Sequence, residues 1–148
     1  PNHEMRYWAD SKSSNWNAPF IADKEILKDK DSIRLNLKSS RSASGLAILL
    51  PKESNLKSFN LGSVEFKASL NNRGAYKDYY VIYMNGVYGE NIELTLNFKE
   101  YKQEIDAFLL DISTELPEHL NDLYKARTGI FSPVHRGDQA VLIKKIKI

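Results

Sequence analysis

The sequence predicts a mostly β protein: an antiparallel β-sandwich, jelly-roll-like, with one short helix near the C-terminus. Three observations carry this expectation. Several short segments place apolar residues at every second position, Asn and Gly cluster between them, and only one segment spaces its apolar residues as a helix does. Alternation with period two over short runs marks half-buried strands of antiparallel sheets. Many such strands beside a single helix fit two packed sheets better than a helical or α/β layering.

The strands follow in order. Ser32–Lys38, SIRLNLK, sets Ile33, Leu35 and Leu37 on one face and Arg34, Asn36 and Lys38 on the other. Residues 45–50, GLAILL, form a continuous apolar run closed by Pro51. Residues 64–70, VEFKASL, alternate again, with Val64, Phe66, Ala68 and Leu70 expected inward. Residues 79–84 are apolar on both faces, which predicts a central strand or one covered on both sides. Ile92–Phe98, IELTLNF, turns Ile92, Leu94, Leu96 and Phe98 inward and Glu93, Thr95 and Asn97 outward. Residues 105–112 and 140–148 supply two more strands.

Turn chemistry fills the gaps. The polar run 39–44, SSRSAS, links two strands, and Asn71-Asn72-Arg73-Gly74 favours positive φ. Asn85-Gly86 predicts a tight hairpin joining 79–84 to Ile92–Phe98, with Gly89 at a bulge or wider loop. Tyr88, beside that turn, is the ring expected to be most exposed, and most of the others are expected in the core or in cross-strand pairs. The helix is LPEHLNDLYKAR. Pro117 suits its first turn, Glu118 the positive end, and Lys125 and Arg127 the negative end, with Gly129 as the stop. Leu116, Leu120, Leu123 and Tyr124 share one stripe, so this helix is expected to pack on a sheet.

Residues 1–148 suffice for one domain with its own core. Hydrophobic residues make up 42% and charged residues 27%, ordinary for a soluble globule. A net charge of +2, with lysines scattered among acids, gives no basic patch, and no nucleic-acid partner is expected. The absence of cysteine removes disulfides, thiolate nucleophiles and Cys-type zinc sites. No apolar run reaches the roughly 20 residues of a membrane-spanning helix. The chain opens on Pro1 with polar residues, which leads us to expect a fragment of a longer protein.

No catalytic or metal-binding residue is assigned. His3, His119 and His135 do not stand at metal-ligand spacing, and no His-Glu-X-X-His, nucleophile elbow or P-loop occurs. Arg136-Gly137-Asp138 is read as a turn entering the last strand, with an integrin-type ligand as the sharper alternative. Trp8 and Trp16 bracket ADSKSSN, and we expect them to pin their segment to a core edge.

Several segments resemble a known family. RYWADSKSSNWNAPF, with an aromatic-Trp pair and a second Trp before Phe20, resembles the start of the C-terminal domain of membrane-anchored zinc aminopeptidases. These are the multi-span members of the aminopeptidase-Y-like metallopeptidase family, the vacuolar and endoplasmic-reticulum branch included. DSIRLNLKSSRSASGLAILLP resembles the strands and Ser-X-Arg link that follow there, and DYYVIYMNGVYGENIELTLNF is similar to a later strand pair. The closing RTGIFSPVHRGDQAVLIKKIKI is similar to the end of that domain. The resemblance implies an extracytoplasmic (periplasmic or lumenal), non-catalytic accessory domain. Its partner would be an upstream peptidase domain of the same chain, or a peptide or protein held nearby, with membrane contact only through segments absent here. Zinc would sit upstream, and no cofactor is expected in this segment. The alternative is a carbohydrate- or peptide-binding sandwich. The candidate interaction surface comprises Tyr7, Trp8, Trp16 and Phe20, nearest the chain's entry, with Tyr76 and Tyr88 as a second cluster.

Overall fold

The structure is a computed structural model, and it describes residues 16–114 and 139–148. Among the described residues nine strands form two antiparallel sheets packed face to face. They are β1 (Phe20–Ile26), β2 (Ser32–Lys38), β3 (Gly45–Pro51), β4 (Leu56–Leu61), β5 (Val64–Lys67), β6 (Tyr79–Asn85), β7 (Ile92–Phe98), β8 (Asp106–Ser113) and β9 (Ala140–Lys147). One sheet has the order β1-β2-β7-β4-β5, the other β6-β3-β8-β9. Short 3₁₀ turns at Lys52–Ser54 and Gly74–Tyr76 complete the described elements. The expected helix over LPEHLNDLYKAR lies outside the described residues, as do all three histidines and Arg136-Gly137-Asp138.

Alternation builds the core. Ile33, Leu35 and Leu37 of β2 and Leu94, Leu96 and Phe98 of β7 point inward from the first sheet. Leu46, Ile48 and Leu50 of β3, Ile82 and Met84 of β6, and Ala107 and Leu109 of β8 meet them from the second. The β2–β7 register sets Ile33 opposite Leu96 and Leu35 opposite Leu94, so apolar pairs run straight across the sheet. Ile148 closes one end through paired backbone hydrogen bonds with Ile105, at 2.6 and 2.9 Å. Among the described residues no helix is long and apolar enough to cross a membrane.

Three expectations change. Asn85-Gly86 is not a hairpin turn, because β6 and β7 lie in different sheets. Gly86 does take positive φ, at 73°. The next residue, Val87, drops into the core, and the chain crosses to the other sheet over residues 86–91. Val87 is 2% exposed there, and burying its side chain favours the crossing. Gly89, also at positive φ, therefore lies in this crossing and not at a bulge.

Residues 79–84 are not central. Among the described residues β6 is an edge strand, paired with β3 on one side and touched on the other by a single bridge between Leu70 and Tyr80. Its inner face is buried, while Val81 and Tyr83 on the outer face are 40% and 47% exposed. Residues 64–70 contribute only β5 to the sheet. Val64 and Phe66 lie opposite Leu61 and Phe59, on the side expected, yet remain 54% and 43% exposed. An edge strand has no neighbour beyond it to close over its inner face. Phe66 instead stacks on Phe59, with centroids 5.2 Å apart. β1 and β4 were not singled out by the alternation. β1 carries a register shift between Ile21 and Asp23, and β4 one between Leu56 and Ser58, and each shift interrupts the period-two pattern.

Candidate functional site

The link from β2 to β3 crosses between the sheets, and it carries the most developed polar cluster of the described residues. Asp111 is fully buried in β8. Strand parity points it inward with Ala107 and Leu109, where a bare carboxylate would be costly. Arg41 resolves this. Its Nε donates to Asp111 Oδ1 at 2.9 Å and its Nη2 to the same oxygen at 2.7 Å. Ser39 Oγ donates to the other carboxylate oxygen at 2.8 Å. The remaining Arg41 N–H groups reach Ser113 Oγ and the Ala140 carbonyl, the latter at 2.9 Å. Ser39 Oγ in turn accepts the Ala43 backbone N–H at 3.1 Å.

Trp16 covers this cluster. The Arg41 guanidinium carbon stands 4.6 Å from the centroid of the Trp16 ring, a cation–π stack. The expected pinning of the entry segment thus takes a specific form for Trp16. The indole lies on a guanidinium that is itself locked to a buried carboxylate. No nucleophile–base pair is formed here. Ser39 donates to a carboxylate whose other oxygen is saturated by Arg41, and no imidazole is near among the described residues. The cluster's chemistry is structural.

The other candidate residues separate. Tyr7 and Trp8 lie outside the described residues. Phe20 opens β1 and is half-buried. Tyr88 is 68% exposed, the most exposed large hydrophobic side chain of the described residues, on the crossing between sheets. Tyr76 stands apart from it. Together with Val81, Tyr83, Leu110, Ile112 and Gln139, Tyr76 lines a concavity of about 510 Å³ on the outer face of the second sheet. Tyr76 and Tyr83 thus bring two exposed rings to one place. Tyr83 lies close over Gly45, where even a Cβ would come within 2.9 Å of the Tyr83 hydroxyl.

The outer faces of the two sheets differ in kind. That of the first sheet is polar and joined to itself. Asn97 Nδ2 donates to Ser58 Oγ at 2.9 Å and Asn60 Oδ1 at 2.8 Å, and Asn97 Oδ1 accepts from Ser32 Oγ at 2.8 Å. Ser58 Oγ donates in turn to Glu65 Oε1 at 2.7 Å. That of the second sheet is apolar at its centre, with Ala47, Leu49 and Leu110 buried and Tyr79 and Phe108 packed beside them, while register puts Asp106, Lys145 and Lys147 on the same side towards one end of β8 and β9.

No protein-family model matches the chain, and no curated protein matches it. Among the described residues no group of three or more His, Asp or Glu side chains is placed to hold a metal ion. Sequence reasoning did not find the Arg41–Asp111 pair. Its signal was present: Asp111 interrupts an apolar run at a position whose parity is inward, and such a residue requires a cation or several donors.

Proposed function

We propose that this chain is a non-catalytic accessory domain of a membrane zinc metallopeptidase, held outside the cytoplasm and packed on an upstream peptidase domain. The observation that carries this reading is the anchored entry. A module tethered for free movement is joined by a flexible segment rich in Gly and Ser. Here Trp16, just before β1, is stacked on the Arg41 of the Arg41–Asp111 pair. A fixed residue at the entry suits a domain that orients or screens a neighbouring catalytic domain. The segment resemblances to the membrane-anchored aminopeptidases supply the identity of that neighbour. The coding sequence upstream of Pro1 is the test. A domain bearing paired His, Asp and Glu zinc ligands, followed by membrane spans, is expected there. An unrelated neighbour overturns the peptidase assignment.

A second reading has its own observation. Tyr76 and Tyr83 at one concavity form the two-ring arrangement that a peptide- or carbohydrate-binding sandwich uses. Titration of the protein with short peptides and oligosaccharides, followed by tyrosine fluorescence, tests it. Saturable binding lost in Tyr83→Ala supports this reading, and no binding removes it.

A further inference from the structure

We propose that the open edge of β5 pairs with β5 of a second copy of this chain, antiparallel and in one register, centred on Phe66. The inference does not depend on the peptidase assignment. Among the described residues the outermost strands of the two sheets are β1, β5, β6 and β9. Exposed edges invite pairing with another chain unless something blunts them. β1 is blunted by its register shift between Ile21 and Asp23. β6 is touched on its free side by the bridge between Leu70 and Tyr80. β9 sets Lys144, Lys145 and Lys147 along its edge. β5 has none of these devices. Its register with β4 is unbroken, and all of its residues, Val64, Glu65, Phe66 and Lys67, are exposed. Val64 and Phe66 are apolar and lie on the core side of the sheet, where an edge protected against pairing would carry charge.

Charge selects the occupant and the register. Residues directly opposite each other in an antiparallel pair share a face. A second β5 that continues the sheet must therefore set core-side residues against core-side residues. Ser58 Oγ donates to Glu65 Oε1 at 2.7 Å and so holds that carboxylate on the outer face, with Lys67 on the same side. A pairing centred on Glu65 would put two carboxylates together, and one centred on Lys67 two ammonium groups. Centred on Phe66, the twofold sets Glu65 opposite Lys67 of the other copy, once on each side of the axis, and Phe66 opposite Phe66. The backbone agrees. Ala68 N–H donates to the Lys57 carbonyl at 3.1 Å. Backbone groups alternate in direction along a strand, so Val64, Phe66 and Ala68 turn theirs towards β4. Glu65 and Lys67 turn theirs to the open side, and these are the residues that the Phe66-centred register joins. Phe66 then falls at a position without hydrogen bonds between the strands, where opposing Cα atoms stand about 4.5 Å apart and side chains come closest. Its ring is 43% exposed beside a cleft of about 210 Å³ that Phe59, Tyr80 and Ile82 also line, and the second copy would cover it.

Sedimentation equilibrium of the purified chain, taken to about 1 mM, measures the association. The contact is small, in the weak class below about 1,200 Å². A concentration-dependent dimer is expected, and monomer throughout overturns the proposal. Glu65→Lys and Lys67→Glu each set like charges opposite one another and should weaken the dimer roughly tenfold. An equimolar mixture of the two variants restores opposite charges across the contact and should restore dimer, as a heterodimer. Damage to the fold of either variant could not produce that recovery. Unweakened single variants, or a mixture no better than its components, would overturn the proposal. The register has its own readout, since the chain has no native cysteine. Under mild oxidation Phe66→Cys should give a disulfide-linked dimer, because position 66 meets itself within disulfide reach. Val64→Cys is at least as exposed but does not meet itself, and should give little. Equal yields from the two positions count against the proposed register.

Discussion

Arg41 places two N–H groups on one oxygen of the Asp111 carboxylate, at 2.9 and 2.7 Å, and so binds the link between the sheets to the middle of the second sheet. The arginine side chain is 9% exposed and the aspartate is fully buried. Removing one partner leaves the other charge buried without compensation, and Arg41→Met is expected to cost about 3–5 kcal/mol. Asp111→Leu alone should cost a similar amount. The double variant should be more stable than the sum of the single losses implies, because no bare charge remains. Urea denaturation of all four proteins measures this. Additive losses would show that the pair is not coupled.

Trp16 should report on the same cluster. Its ring rests on the Arg41 guanidinium. Arg41→Met in a Trp8→Phe background should therefore increase acrylamide quenching of the single remaining tryptophan. Unchanged quenching would mean that Trp16 is held by other contacts.

The two glycines of the crossing should respond differently. Gly86 has positive φ and open space around it, so Gly86→Ala should cost only the left-handed conformation, about 1 kcal/mol. Gly89 has φ 81°, and a Cβ there would come within 2.7 Å of Ser42 Oγ. Gly89→Ala should cost distinctly more, and Ser42→Gly should recover part of the difference. Thermal melts of the three variants decide it, and equal losses for both glycines would contradict the close approach.

Asn97 is the hub of the polar outer face of the first sheet, joined to Ser32, Ser58 and Asn60. Asn97→Ala leaves those groups short of partners and should destabilise by about 1–3 kcal/mol. Thr95 is on the same face two residues away, with no side-chain hydrogen bond that this expectation uses, and Thr95→Ala should cost less. Denaturant midpoints of the two variants provide the comparison.

The purified chain should show no aminopeptidase turnover and hold no stoichiometric zinc, since its sequence contains no ligand-spaced histidines and no cysteine. Metal analysis with an aminopeptidase assay checks this. One tightly held zinc per chain together with turnover would reverse the non-catalytic assignment.

The sequence by itself determined which residues of β2 and β7 face the core. Alternation with period two is a local property of an extended chain, so Ile33, Leu35, Leu37, Leu94 and Leu96 could be placed inward without knowing their neighbours. It also determined the positive φ of Gly86 and the exposure of Tyr88. Pairing was decided by the tertiary structure alone. Whether β6 folds back on β7 or crosses to the other sheet depends on where Val87 finds burial, and that site is built by residues distant in the chain. Edge or centre is likewise a property of neighbours, so Val64 and Phe66 have the right parity and still lie in solvent. Arg41 and Asp111 show the same limit most clearly. Asp111 is recognisable as a residue in need of a partner, but 70 positions separate it from Arg41, and only the packing of one sheet on the other brings the guanidinium to the carboxylate.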